Sequence, residues 1–537
     1  MRLPEMKYRD GLTKSTQMQF GGYNHTKGAG DGELWDMENM TSDACPLLSV
    51  RKRRGLVRKL EQPVGIGAHN ELYWVDGDGF FYGGERVGTV EAGTPKRFAG
   101  MGSRVIIWPD KAVYNTATGV FESLEARVSG SGVSFGNGTL YGEEAERNTV
   151  TCAGIDFGKF FSAGDAVTIS GCTRHPENNK TPIIREISED GHSIRFYENV
   201  LETDGTDEKP VGYTEPGTIT FARELPDMDY ICVNENRLWG CKGDSIYASK
   251  LGDPKNFNVF DGVGTDSFWV DAGSAGDFTA CFSFLGYPCF FKERHIYKMY
   301  GDLPTNFQMM GGPDLGVMTG CADSLAIAGN NLFYLSIAGV MAYSGGTPTP
   351  VGDCLGGQFQ QAVGGSDGMK YYVSMIRGDQ TRHIFVYDTR LGLWHREDET
   401  RAMGWATAGD TLYMLDEDGS VWDITGRTGE AEAPLSWAAE FADFTEGSPD
   451  AKGYGKLQVR LELEEHALAE VWLRYDSEDQ WRQIGRTMTT ERKRTFLLPV
   501  IPRRADHYRL KLSGTGGCTI HSIAREYYAG SEYKTVR

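Results

Sequence analysis

A two-strand phrase recurs along residues 65–425: Asn or Asp, any residue, Leu, then an aromatic. Its clearest copies are Asn70-Glu71-Leu72-Tyr73, Asn236-Arg237-Leu238-Trp239, Asn330-Asn331-Leu332-Phe333 and Asp410-Thr411-Leu412-Tyr413. Each precedes a second short apolar or aromatic strand: Phe80-Phe81-Tyr82, Ile246-Tyr247, Val340-Met341-Ala342-Tyr343 and Val421-Trp422. Turn residues lie between, as in Asp76-Gly77-Asp78-Gly79 and Asp416-Glu417-Asp418-Gly419. The Asn or Asp ends one turn, the Leu-aromatic pair enters a buried strand, and Asp-Gly closes the hairpin. A repeated hairpin must stack on its neighbours to bury its faces, so the phrase predicts a repeat architecture.

Aligned positions fall near Leu238, Cys289, Leu332, Tyr371 and Leu412, in steps of 51, 43, 39 and 41 residues. That period, with four short strands per unit, predicts propeller blades. Two earlier units, around Leu72 and Val105, bring the expected number to about seven, with six possible. Residues 126–226 break the rhythm with strands of their own (165–171, 181–187, 193–196 and 218–223) and predict a small inserted β-barrel. Residues 434–537 alternate with period two, as in Leu457–Leu463, Val471–Tyr475 and Tyr508–Leu512, and predict a β-sandwich. The expected plan is all-β: a polar lead-in or arm over 1–60, a propeller over 61–125 and 227–433, the barrel over 126–226, and the sandwich over 434–537. Residues 358–363 and 461–470 are the only candidates for short helices.

Composition supports that plan. Gly is 69 of 537 residues, above the usual ~7%, and supplies the turns. The net charge is −19, and residues 434–537 carry 16 Lys/Arg against 15 Asp/Glu, so the excess acid lies in residues 1–433. An acidic body does not hold a nucleic-acid backbone by counterion release, although it can line a passage through which DNA slides. The ten cysteines form no CxxC and no zinc-like spacing with His, which fits reduced synthesis in the cytoplasm. Cys232 and Cys241 flank one hairpin and could face each other. The first residues lack the apolar core of a secretory signal, and no run of about 18 apolar residues predicts a membrane span.

No G-x-S-x-G elbow, P-loop or H-E-x-x-H occurs. The best acid/base candidates are Asp76, Asp78, Asp416 and Asp418, because propeller glycosidases use paired carboxylates. All four lie in D-x-D-G turns, where Asp is chosen for hydrogen bonds to the backbone. His295 lies in an aromatic strand, and His383 and His395 flank the strand Ile384–Tyr387 closely enough to meet. The segment 387–395 resembles a kelch-like corner in which Tyr387 and Trp394 pack. The basic run Lys52-Arg53-Arg54 reads as a solvated flank, a partner for acidic neighbours or a phosphate contact. The expectation is no catalytic, cofactor-binding or metal-ligating residue.

The opening pattern Phe20-Gly21-Gly22-Tyr23-Asn24, then Asp31–Met40, then Pro46–Arg51, resembles the start of many tailed-phage virion proteins. So does the order of Ile246–Phe257, Phe290–Gly301, Gly316–Cys321 and Phe333–Val340. Covering roughly residues 15–60 and 226–430, this order is similar to the tail nozzle and packaged-DNA stabilisation proteins of short-tailed phages. The resemblance implies a non-enzymatic structural protein of the virion tail or neck. It implies a homo-oligomeric ring, commonly sixfold, that lines or closes the DNA exit channel, meets other tail, neck or portal-adaptor proteins, and uses no cofactor. The C-terminal sandwich departs from that family and leaves the position along the tail open. A receptor- or glycan-binding tail-tip protein and a propeller glycosidase are the alternative readings.

Overall fold

A computed structural model describes residues 12–136, 147–197, 200–206, 209–260, 262–476, 478–489 and 493–528. Apart from four three-residue 3-10 turns, the described residues form strands, turns and loops. Six four-stranded antiparallel sheets and one of five strands make the blades, the six each a meander of consecutive strands. Blade 1 comprises residues 63–89, blade 2 residues 97–123, blade 3 residues 230–271 and blade 4 residues 280–313. Blade 5 comprises residues 326–350 and blade 6 residues 359–396. Blade 7 has three strands from residues 402–423 and takes its fourth, Gly55–Lys59, from near the N-terminus. Short Glu430–Ala431 lies beside that strand. The fold is therefore an all-β propeller of seven blades, with an inserted barrel and a C-terminal sandwich.

The recurrent phrase marks the second strand of its blade in every copy. Leu72, Leu238, Leu332 and Leu412 all lie there, as do Val105, Cys289 and Tyr371. The second strands are largely buried: Asn331–Ser336 is buried at five of six positions. The turn chemistry varies between copies. Glu235 and Asn236 both have positive φ (46° and 58°), the pattern of a type I′ turn that matches strand twist. In the later copies the left-handed residue is a glycine, Gly329 or Gly409, immediately before the Asn or Asp.

The chain divides into two compact units, residues 1–72 with 320–537, and residues 73–319. In the second unit the first strands of blades 2, 3 and 4 pack in order, and the barrel is inserted between blades 2 and 3. One barrel sheet joins Ala126–Ser131, Thr218–Arg223 and Thr168–Ser170; the other joins strands from residues 134–135, 149–151, 184–187, 193–196 and 213–214. They enclose a core of its own, in which Phe157 meets Phe221 edge-on at 5.0 Å.

In the first unit the first strands of blades 5, 6 and 7 pack in order, and that of blade 7 packs on Pro63–His69 of blade 1. The sandwich belongs to this unit. One of its sheets runs Leu34–Glu38, Ser436–Phe441, Tyr508–Thr515, Ala467–Tyr475 and Arg482–Thr489. The other runs Met40–Thr41, Leu48–Val50, Cys518–Tyr528, Lys452–Leu463 and Lys493–Ala505, with Leu12–Gln17 also paired to Cys518–Tyr528. Burial alternates at every position of Ala467–Tyr475, the period-two signature of a strand with one face inward.

Two expectations need correction. Residues 12–59 are no separate arm: they supply strands to both sandwich sheets and to blade 7, because their apolar positions (Leu34, Met37, Met40, Leu48) are fully buried there. Residues 358–363 and 461–470 hold no helix. The first span carries a bulge at Gln361 (φ 50°) in the strand Phe359–Ser366, and the second spans the turn at His466 (φ 64°) between two long strands.

Candidate functional site

The turn carboxylates behave as turn residues. Asp416 Oδ1 accepts from the Ser420 amide at 2.8 Å, and its Oδ2 accepts from the Trp422 indole at 2.8 Å. Asp418 accepts from the Ser420 hydroxyl at 3.0 Å and pairs with Lys59 at 2.9 Å. Burial, then the neighbouring Asp418, push Asp416 up to about 6. The hydrogen bond from Asp416, then Lys59, hold Asp418 well below the usual carboxylate range. Below about pH 6 the two groups therefore share a proton in direct contact, whereas glycosidase carboxylates stand ~5 Å or more apart to admit a sugar. In blade 1, Asp78 pairs with Arg86 at 3.0 Å, both half exposed, and Asp76 ends its strand opposite Gly79.

The shared proton predicts a pH effect. A carboxyl raised in the folded state lets the folded chain hold more protons than the unfolded one between about pH 4 and 6, so stability from Asp416 falls as pH rises through that window. Asp416→Asn keeps a donor toward Asp418 and an acceptor for Trp422. Its stability relative to the wild type is expected to rise by roughly 1–3 kcal/mol between pH 4 and 7, read from denaturation curves at each pH. An unchanged difference across that range would refute the shared proton.

The histidines do not meet. Val386 pairs with His395 across the last two strands of blade 6, and His383 lies three positions from Val386. An odd offset puts the two imidazoles on opposite faces of the sheet. Burial and Lys370 push His395 down to about 4, and burial, then Arg396, lower His383. Both are buried packing residues. His295 is stacked along its strand with Tyr297, centroids 6.0 Å apart. Cys232 and Cys241 are free thiols. The register sets Cys232 against Trp239 and Cys241 against Tyr230, and Cys232 instead meets Cys281 of blade 4. Tyr387 and Trp394 pack at 4.9 Å, with the indole donating to the Val351 carbonyl at 2.6 Å.

The densest polar construction is a seam made by residues 20–59 between blade 6, blade 7 and the sandwich, all within the first unit. Gly22 runs so close to blade 6 that a Cβ there would lie 2.5 Å from the Trp394 carbonyl, which accepts from the Tyr23 amide at 2.6 Å. Ser42 donates to Asp388 at 2.8 Å, and Lys370 reaches Asp43 at 2.5 Å. Arg396 donates to the Met37 carbonyl. The indole of Trp35 lies under Arg509 of the sandwich at 4.7 Å.

At its centre sits an ionic cluster. Arg51 reaches Asp398 and Glu432 at 2.9 Å each, and its Nε donates to Asn39 at 2.8 Å. Arg54 reaches Glu397 at 2.6 Å, Asp398 at 2.9 Å and Thr400 at 3.2 Å. The arginine side chains are 5% and 2% exposed. Burial alone would raise Asp398, yet Arg54 and then Arg51 outweigh it and hold the carboxyl far below its ordinary range. Of the run Lys52-Arg53-Arg54, only Arg54 turns inward; Arg53 donates to the Ala431 carbonyl from an exposed position.

A second joint lies in the other unit, under the barrel. Arg223 pairs with Asp165, each side chain 6% exposed, and donates to the Leu124 carbonyl at 3.0 Å. Asn256, in the loop after the third strand of blade 3, donates to Asp165 at 2.9 Å and accepts from the Ala166 amide at 3.0 Å. Among the described residues, one group brings three potential metal-ligand atoms within 4.8 Å of one another: Asp476, Asp506 and His507 at the sandwich end. These side chains already bond within their own group, His507 Nδ1 to Asp506 at 2.7 Å.

No family model and no curated protein matches the chain. Among solved structures, the exo-β-1,3-galactanase of Phanerochaete chrysosporium is 7% identical, covering 54% of this chain and 92% of its own, with a TM-score of 0.20. A family 43 arabinoxylan arabinofuranohydrolase from Bacillus subtilis is 11% identical over 56% of this chain and 79% of its own, TM-score 0.16. A Trypanosoma rangeli sialidase is 9% identical over 88% of this chain and 94% of its own, TM-score 0.23. At such scores these similarities bear no weight for chemistry.

Proposed function

We propose that this protein is a structural subunit of a bacteriophage tail or neck, a propeller that assembles into a ring around the DNA exit channel and retains or releases the genome. The observation that carries this reading is the use made of the residues behind the resemblance. Gly22, Tyr23, Trp35, Met37, Asn39 and Arg51 build the seam, and Asn256 builds the joint under the barrel. These are contacts between elements, suited to a part whose work is to keep its shape. The acidic excess of residues 1–433 suits a wall that DNA passes without sticking.

Native mass spectrometry of the purified chain tests this: a closed multimer, six copies by the resemblance, is expected, and a monomer persisting at high concentration would overturn it. Hydrolysis of host-wall polysaccharide is the second reading. Its favouring observation is the Asp416–Asp418 pair, one carboxyl raised and the other lowered, as in acid/base pairs. Their direct contact weighs against it, and an absence of released reducing sugar would retire it.

A further inference from the structure

Lys96 ends the connection between blades 1 and 2, and Asp110 sits in the turn between the second and third strands of blade 2. Their side chains are 0% and 7% exposed, and Nζ lies 2.7 Å from Oδ2. The contact lacks the angles of a hydrogen bond, and among the described residues neither atom has a hydrogen-bond partner. The other carboxyl oxygen, Oδ1, accepts from the Glu91 amide at 2.5 Å. The buried lysines Lys292, Lys370 and Lys452 differ, because each donates hydrogen bonds to two partners. The carboxylates that meet Lys292 and Lys370, Asp244 and Asp43, are also 37% and 48% exposed, so water shares those pairs. Lys96 and Asp110 are shut in together, with the amine and one carboxyl oxygen facing only each other.

We infer that Lys96 and Asp110 condense to an isopeptide bond, a covalent staple between the blade connection and the blade turn. The ammonium first gives one proton to Oδ2, which removes two charges from a site that solvates ions poorly. The freed lone pair of Nζ attacks Cγ and forms the C–N bond. Negative charge passes to Oδ1, where the Glu91 amide stabilises it as an oxyanion donor does. The nitrogen then yields a second proton to Oδ2, the Cγ–Oδ2 bond breaks and water leaves, with one hydrogen kept on the new amide. The step consumes no co-reactant. Its driving advantage is proximity: well-oriented groups held in contact react as if at ~10⁵ M or more. The bond closes a ring over residues 96–110 and so ties the first two strands of blade 2 to their own turn. The inference does not depend on ring assembly.

Intact-mass measurement of the denatured full chain tests it. The mass is expected to fall short of the sequence by one water, and a proteolytic digest should yield a branched peptide joining Lys96 to Asp110. Asp-Gly turns such as Asp418-Gly419 can also lose water, as succinimides; hydroxylamine attacks succinimides and spares an isopeptide, which separates the two. Asp110→Ala should restore the full mass, and Asp110→Asn should lose ammonia in place of water. The branched peptide from the wild type decides the matter if a variant fails to fold. An unmodified mass, a water loss that survives in Asp110→Ala, or separate linear peptides carrying Lys96 and Asp110 would overturn the assignment and leave a plain buried ion pair.

Discussion

Replacing Arg54 with Met is expected to lower the unfolding free energy by about 3–5 kcal/mol. The side chain is 2% exposed and touches Glu397, Asp398 and Thr400, so its loss leaves buried carboxylates facing one remaining guanidinium, Arg51. Water cannot replace what is removed, which separates this pair from surface ion pairs such as Arg127–Glu224, 69% and 59% exposed. Urea denaturation at neutral pH measures the difference. The acid limb gives a second reading. Asp398 is depressed in the folded state, so its stabilisation is present above the unfolded carboxylate pKa and is lost as pH falls through the folded value. In the variant that acid-dependent loss should shrink. Adding Glu397→Gln should recover part of the deficit, since the two residues belong to one network. A single variant within 1 kcal/mol of the wild type, a threshold well under the ~3–5 expected for a broken buried pair, would contradict the account of the seam.

Arg223→Met should cost a similar ~3–5 kcal/mol, in the other unit. It leaves Asp165 buried with Asn256 as its remaining side-chain donor and frees the Leu124 carbonyl. Because Asp165 and Arg223 belong to the barrel and Asn256 to blade 3, the damage should localise. Limited proteolysis is expected to cut first near residues 124 and 224, at the two chain crossings of the joint. Asn256→Ala should reproduce the pattern more weakly. Arg127→Ala, on the exposed face of the same sheet, should stay within about 0.5 kcal/mol of the wild type. Uniform cleavage across the chain would mean that the barrel is not held by this joint.

The blades were legible in the amino-acid pattern because each is local: a turn residue, a buried Leu-aromatic pair and a second turn lie within one short stretch. The barrel and the sandwich were legible for the same reason, in strands such as Ser193–Phe196 and Ala467–Tyr475 that alternate on their own. The seam was not legible. Asn39 donates to the Ser436 carbonyl across 397 positions, and Arg54 meets Glu397 across 343. Nothing in a lone basic run says that one of its members will be buried against carboxylates so remote. The helical reading of 358–363 failed because the bulge at Gln361 disrupts the two-residue alternation. The Asp turns were legible as turns; the proton shared by Asp416 and Asp418 follows from partial burial, which spacing does not encode.

The interleaving of early strands with late sheets has a consequence during synthesis. Leu12–Gln17 pairs with Cys518–Tyr528, and Gly55–Lys59 with Ser420–Asp423. At about 5–20 residues per second, ribosomes need roughly half a minute to a minute and a half to deliver those partners. For that interval the leading segment waits with its edges unpaired, while the barrel and the middle blades already have all their strands. The nascent chain is then most exposed to sticking and to chaperones along that leading segment, and the arrival of the late strands, more than any local step, sets when the segment becomes safe.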